Sequence, residues 1–298
     1  NGHDADYRHP ASFPFIRRLL FVDRDARDGL PYEHQYAPSR SLITFHLEYA
    51  MSRVNALSDL RRELVSIQNP VRYLGGEYGQ SVKDHADLTF ALAFPDLYEI
   101  AMSNLAIKVI YDGLNRLPSV RCERVFAPAP DFEVLLARKQ IPLYTLESGI
   151  PLREVDVLGV SLGYEPGITG LLSILESGGI PLDCSSRGTS DPIVLAGGCG
   201  ITNPAPFSRF IDAFFIGEAE AGLFELVEEL ARMKRAGASR VDLLARLESH
   251  PAIWTESKDR ARVAREPCAR RAVWAGFGSP DYRAVCFPVP NMRIVQDH

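Results

Sequence analysis

The sequence predicts an α/β protein built on an open, doubly wound and mostly parallel sheet, with an irregular N-terminal extension and a C-terminal strap. Between about residues 86 and 237, short apolar segments alternate with segments of helical periodicity. The apolar segments lack a period of two, which is typical of strands that are buried on both faces. Each is followed by a helix and not by a hairpin, as parallel pairing requires.

Five strand–helix units follow one another along this region. We predict the strands at 88–94, 120–128, 156–162, 192–198 and 212–217. The helices are predicted within 95–118, 130–140, 167–179, 203–211 and 218–237. Asn104 and Asp131 are the predicted N-caps of the first two helices, because their side chains can accept from free backbone N–H groups.

The parts on either side carry weaker patterns. Residues 1–53 show no sustained period of 2 or 3.6, which predicts an irregular extension. Residues 54–85 are predicted to form a short amphipathic helix and then a glycine-rich loop that leads into the α/β domain of 86–237. Residues 238–298 are predicted to hold one more helix, over 239–250, and an extended connector with a small β segment.

Composition and charge exclude several classes of protein. The 298 residues are 46% hydrophobic and 24% charged, which is typical of a globular protein, and the net charge of -5 gives no overall nucleic-acid surface. The sequence shows neither a membrane span nor a signal-peptide pattern, and its five cysteines are scattered singly. We therefore expect a cytoplasmic protein with reduced thiols and no metal site. Because the chain begins with Asn, we expect it to be part of a longer product.

Candidate ligand-binding residues lie where the third and fourth strands end, since ligands of open α/β sheets bind beyond the carboxyl ends of the strands. Ser161 ends the third strand, and Tyr164 and Glu165 follow it. The Ser161 hydroxyl either meets a ligand or caps the next helix. Gly197 and Gly198 either let a ligand approach or form a tight turn. The stretch GCGITN lacks the third glycine of a dinucleotide site, which disfavours a nicotinamide enzyme.

Acidic residues form a second set of candidates. Glu218 and Glu220 are predicted to open the last helix of the domain, where carboxylates complement the helix dipole, and a direct catalytic role is the alternative. A self-sufficient hydrolase or transferase that uses Asp96, Glu99 and Glu165 is a weaker hypothesis, because no nucleophile–base pair accompanies them.

Several stretches together resemble a known family. They include LAFPDLYEIAMSNLAIKVIYDGLN, DVLGVSLGYEPGITGLLSILESGGIPL, PIVLAGGCGITNPAPFSRFIDAFFIGEAEAG and VCFPVPNMRIVQDH. From about residue 69 to 298 the chain resembles the N-terminal region of large radical S-adenosylmethionine (SAM) proteins, which has a Rossmann-like, cobalamin-binding-like domain. The resemblance implies an accessory part of an enzyme of unknown substrate, whose iron–sulfur cluster and SAM are held by a C-terminal radical SAM barrel.

Two motifs of such proteins are missing from this sequence. The Cys-x-x-x-Cys-x-x-Cys triplet that would hold the cluster does not occur, so we expect it just beyond His298 and expect no SAM cleavage by this chain alone. The Asp-x-His-x-x-Gly motif of cobalamin ligation is also missing, since the loop after the first strand reads PDLYEIAMSN. Either cobalamin binds without a protein imidazole, or the domain keeps the fold without the cofactor.

The resemblance places four residues where related domains line the nucleotide tail of cobalamin: Ser161, Leu162, Gly197 and Gly198. Tyr164, Glu165 and Glu218 complete the candidate cofactor-binding set. An alternative function is a non-catalytic module that docks a partner protein or RNA through residues 258–271, which contain six Lys or Arg. A solvated charged face is the simpler interpretation of that stretch.

Overall fold

The residues that the structure describes form one mixed sheet with helices on both faces. The computed structural model describes Leu60, residues 62–258 and Ala261. Its strand order is β2-β1-β3-β4-β5-β6. The strands are β1 Leu88–Phe94, β2 Val120–Phe126, β3 Val157–Ser161, β4 Ile193–Gly197, β5 Ala213–Phe215 and β6 Ile253–Trp254. β1 to β5 pair in parallel and β6 runs antiparallel to β5, so the predicted mostly parallel sheet is confirmed.

The described helices divide between the two faces of the sheet. They are α1 Tyr98–Ser103, α2 Leu105–Asn115, α3 Pro130–Lys139, α4 Ile168–Ser177, α5 Leu223–Arg235 and α6 Arg240–Ser249. α2, α5 and α6 bury their apolar sides in one core. α3 and α4 pack into a second core on the opposite face. The predicted double winding is therefore confirmed, because every parallel strand is covered from both sides. None of the described helices is long and apolar enough to cross a membrane.

Of the two predicted N-caps, one is confirmed and the other is wrong. Asn104 caps α2, where its Oδ1 accepts from the backbone N–H of Ala106 at 2.9 Å. Asp131 does not cap α3, because Pro130 already occupies the first turn and Ala129 is the N-cap. Asp131 instead accepts from the backbone N–H of Gln68 at 2.7 Å.

The predicted helix at 203–211 is wrong. The chain forms 3-10 turns at Cys199–Ile201 and Ala205–Phe207 instead. Pro204 and Pro206 explain the difference, because proline lacks the N–H that continues an α-helix. Phe207 and Ile211 still pack into the core beside α3 and α4, so the segment covers the sheet without being a helix.

Outside the domain the predictions are only partly tested. The first part of the helix predicted after residue 54 lies outside the described residues, and the later part forms a 3-10 turn at Glu63–Ser66 in place of a continuous α-helix. The helix predicted at 239–250 is confirmed as α6, which Ser239 and Asp242 open with a capping box. The small β segment predicted after it is β6, which extends the sheet. The irregular extension of 1–53 and nearly all of the basic stretch 258–271 lie outside the described residues. The domain boundaries stay a prediction.

His250, at the end of α6, should make the stability of the domain depend on pH. Its Nδ1 accepts from the backbone N–H of Ala252 at 3.2 Å, which requires the neutral ring. Burial lowers the pKa of His250, the charges of Arg246 and Lys258 lower it further, and Glu229 opposes them. The folded pKa lies below the unfolded value of about 6.5, so the stability from His250 is full above that value and is lost as the pH falls below it.

We therefore expect the urea midpoint to fall between pH 7.5 and pH 5.5, and to fall less in His250→Gln than in the wild type. Unfolding in urea followed by circular dichroism measures both. His85→Gln, at an exposed position, is the matched control and should behave like the wild type. An equal fall of the urea midpoint in all three proteins would show that the pKa of His250 does not change on folding.

Candidate functional site

The carboxyl ends of β1 to β5 lie along one edge of the sheet, called here the rim. The chain leaves β1 through α2 on one face and leaves β3 through α4 on the other. The two connections diverge between these neighbouring strands, so the rim has a topological switch point there. Open α/β sheets bind ligands at such points, and the loops after β1, β3 and β4 are the candidate site.

A hydrogen bond joins the loops on the two sides of the switch point. The Tyr164 hydroxyl donates to Asp96 Oδ2 at 3.0 Å. The main chain of Asp96 also accepts from the backbone N–H of Ala127 at 3.0 Å, which ties the end of β1 to the end of β2. Tyr164 is 44% exposed, and its hydrogen bond to Asp96 raises the pKa of its hydroxyl. A neutral phenol and a carboxylate are thus held together at the mouth of the crevice.

The ends of β3 and β4 bring four sequence-predicted residues together. Ser161 and Gly197 are register partners, and the Leu162 N–H donates to the Gly197 carbonyl at 2.8 Å. Leu162 is fully buried and Ser161 is 8% exposed. Gly198 has φ +113°, and a Cβ built on it would lie 2.4 Å from the Leu162 carbonyl oxygen. Gly198 is therefore needed by the packing of the chain on itself.

Gly197 differs from its neighbour. A Cβ built there would have the Phe215 carbonyl oxygen at 3.8 Å as its nearest contact, which is ordinary van der Waals separation. Next to it, the exposed Cys199 donates from Sγ to the Gly163 carbonyl at 3.0 Å. A side chain thus has room at Gly197, whereas at the exposed Gly198 the Leu162 carbonyl closes only the Cβ side.

The acidic candidates are distributed differently from the prediction. Glu165 is exposed in the 3-10 turn Glu165–Gly167 after β3. Glu218 is half-buried and precedes the 3-10 turn Ala219–Ala221. α5 begins at Leu223 and has Glu225 in its first turn, so the predicted role of Glu218 and Glu220 on this helix dipole is wrong. The cause is Gly222, whose φ of 135° breaks the segment.

The three carboxylates of the hydrolase hypothesis are not gathered into one acid–base group. Asp96 accepts from Tyr164 at 3.0 Å, whereas Glu99 pairs with Arg72 at 2.7 Å. Glu165 is exposed. Among the residues that the structure describes, no group of three or more His, Cys, Asp or Glu could hold a metal ion.

A buried ion pair near the end of β2 was missed by the sequence reasoning. Glu147 accepts from both the backbone N–H and the Nε of Arg124, each at 2.6 Å. The guanidinium also lies 4.4 Å from the centre of the Tyr111 ring. Burial raises the pKa of the Glu147 carboxyl, and the contacts with Arg124 oppose this shift. The signal for this pair is the sequence VRCERVF, which puts three charged residues in one strand, two of them, Glu123 and Arg124, at buried positions.

A comparison with protein families connects this architecture to a known group. A family model described as radical SAM proteins, N-terminal, matches residues 106–255, which run from α2 through β6. The chain belongs to this family. The radical SAM resemblance predicted from the sequence is thereby confirmed. No curated protein and no solved structure matches the chain.

Membership implies cofactors and a partner that the described residues do not themselves provide. Full-length radical SAM proteins use SAM and an iron–sulfur cluster, and an N-terminal domain of this kind implies a C-terminal radical SAM domain in the full protein. Among the described residues no cluster of side chains has the composition to hold a metal, so these residues do not form the site of an iron–sulfur cluster.

Cobalamin, which the sequence resemblance implies, fits only part of the β3–β4 crevice. The Cβ side of Gly198 is filled by the Leu162 carbonyl, and the Leu162 side chain is buried in the core. Leu162 therefore offers no side chain to a nucleotide tail, whereas Gly198 is exposed and stays a candidate. A Cβ has room at Gly197, which pairs with the 8% exposed Ser161, and cobalamin binding at these two residues stays a prediction.

Proposed function

We propose that this chain is the N-terminal accessory part of a radical SAM enzyme, and that its rim supplies a ligand-binding surface to the catalytic centre. The observation that carries the proposal is the switch point between β1 and β3, where the Asp96–Tyr164 hydrogen bond and the Gly197 turn lie on one edge of the sheet. The family match supports the association with a radical SAM domain. The free cysteines among the described residues favour a cytoplasmic location.

The candidate ligand of the rim is cobalamin or the substrate of the catalytic domain. Ser161 and Gly197 would border it, with Tyr164, Glu165 and Glu218 on the loops around it. Cobalamin, when bound, would supply its radical chemistry. The part of this chain is to orient the ligand and to keep the Tyr164 phenol neutral beside Asp96.

A titration with cobalamin tests the ligand. Hydroxocobalamin added to the full-length protein should shift its visible spectrum, and Gly197→Val should weaken binding about tenfold, which is about 1.4 kcal/mol, by filling the space beside Ser161. Gly163→Ala is the matched control, because a Cβ built there meets nothing within 4 Å. No spectral change with the wild type would show that the rim does not bind cobalamin.

The accessory role has a separate test. Tyr164→Phe in the full-length, anaerobically purified protein removes the hydrogen bond to Asp96 and leaves the ring in place. We expect an unchanged iron content and thermal midpoint but slower turnover of SAM. Tyr78→Phe, at another exposed tyrosine, is the control. Equal turnover by both variants and the wild type would show that the rim does not serve the catalytic centre.

A further inference from the structure

A small cavity lies at the carboxyl end of the edge strand β2. Its volume is about 20 Å³, and Arg72, Tyr98, Arg124 and Ala127 line it together with apolar side chains from both faces of the sheet. This volume admits one or two water-sized groups. Arg72, Tyr98 and Ala127 are only half-buried, so the cavity lies close to the surface.

Arg124 contributes a buried donor that has no partner. The residue is 6% exposed. Its Nε donates to Glu147, and its Nη1 lies 3.4 Å from the sulfur of Met102. Its Nη2 is buried without a hydrogen-bond partner. A buried donor that lacks an acceptor costs about 1–3 kcal/mol, and more when it is charged, so an oxygen atom within reach of Nη2 would be stabilised, and Arg124 is one of the residues that line the cavity.

The surrounding charges select the kind of oxygen. Three carboxylates pair with side chains that line the cavity: Glu147 with Arg124, Glu99 with Arg72, and Glu77 with the Tyr98 hydroxyl. A full negative charge in the cavity would be repelled by these carboxylates. A neutral carbonyl oxygen avoids that repulsion and can still accept a hydrogen bond from the Arg124 guanidinium.

We infer that the cavity is a binding subsite for a neutral carbonyl oxygen of the amide class, which donors on Arg124 hold beside Tyr98. The size of the cavity admits the tip of such a group, and the rest of the ligand extends past Arg72 and Ala127. The subsite lies at β2, apart from Ser161 and Gly197, and does not depend on the proposed function.

Formamide and formate test this inference, because they have the same three heavy atoms and differ in charge. A ligand of three heavy atoms gains at most about 4.5 kcal/mol, so a Kd near 1 mM is the tightest expected. Formamide added to the 298-residue chain should shift the amide NMR signals of Ala127 and Leu146 saturably. Formate should bind at least about tenfold more weakly, a difference of 1.4 kcal/mol.

Three variants locate the site. Arg124→Lys should abolish the saturable shifts, because lysine lacks the second nitrogen. Ala127→Val should abolish them by filling the cavity while it leaves Arg124 in place, and it decides the matter if Arg124→Lys does not fold. Arg209→Lys, at an exposed arginine paired with Asp183, should bind formamide like the wild type. Equal binding of formate and formamide, or no saturation with formamide, would overturn the inference and leave a water molecule as the partner of Nη2.

Discussion

Glu147→Gln should lower the free energy of unfolding by about 3–5 kcal/mol, the usual cost of removing one partner from a buried ion pair. The Glu147 side chain is 0% exposed and that of Arg124 is 7% exposed. The glutamine would fill the same space, but it leaves the charge of Arg124 without compensation. Its NH₂ group would also face a donor at one of the two positions where the carboxylate now accepts. Urea unfolding of the variant and the wild type measures the change.

A double variant separates the charge from the packing. Arg124→Met combined with Glu147→Leu removes both charges and keeps apolar volume, and such replacements are often neutral or stabilising. We therefore expect the double variant to recover most of the stability that Glu147→Gln loses. A double variant as unstable as Glu147→Gln would show that the hydrogen bond to the Arg124 backbone N–H matters more than the charge.

A more exposed ion pair supplies the control. Glu229 pairs with Arg246, and both side chains are partly exposed. Exposed pairs contribute about 0–1 kcal/mol because water screens them, so Glu229→Gln should change the unfolding free energy by no more than this. A loss in Glu147→Gln as small as the loss in Glu229→Gln would contradict the interpretation of Arg124–Glu147 as a buried pair that water does not screen.

The strands were predictable because burial on both faces leaves a simple trace in the sequence. The predicted segment 88–94 is β1 to the residue, and 156–162 brackets β3. Continuous apolar runs have few other uses in a globular domain of this size. Asn104 was predictable for a similar reason, since a cap depends on contacts within one turn.

The wrong helix starts arise where a residue suited to begin a helix lies near a proline or glycine that fixes the start elsewhere. Asp131 has the right side chain for a cap, but Pro130 starts α3 one residue earlier. Glu218 precedes a glycine that breaks the helix, so the carboxylate is in the wrong place for the dipole of α5. Propensity alone does not decide between a continuous helix and one that is interrupted by Gly222.

The candidate site was predictable in position but not in detail. The rule for open sheets directs attention to the strand ends, and the structure brings Ser161 and Gly197 into register there. The sequence could not show that a Cβ has room at Gly197 but meets the Leu162 carbonyl at Gly198, because this depends on the path of the chain in three dimensions. The Arg124–Glu147 pair was missed because its members lie 23 residues apart, one on β2 and the other in a turn.

Gly198→Ala should lower the free energy of unfolding by about 2–5 kcal/mol, the combined cost of a glycine-only conformation and an overpacked contact. Gly198 has φ 113° and ψ 173°. A Cβ there would lie 2.4 Å from the Leu162 carbonyl oxygen, which is backbone and cannot rotate away. The same carbonyl accepts from the Gly200 N–H at 2.9 Å, so a shift of Leu162 would also break that contact. Thermal and urea unfolding measure the loss.

The adjacent glycine gives the matched control, since Gly197→Ala adds the same methyl group one residue earlier. Its nearest contact would be the Phe215 carbonyl oxygen at 3.8 Å, and Gly197 is not among the described glycines with positive φ. We expect Gly197→Ala to unfold within about 1 kcal/mol of the wild type, as most substitutions without a specific clash do. Similar losses in both variants would mean that the turn after β4 is not closed against Leu162. A large loss in Gly198→Ala alone would establish that this turn is held by the packing of the chain itself, without help from a ligand.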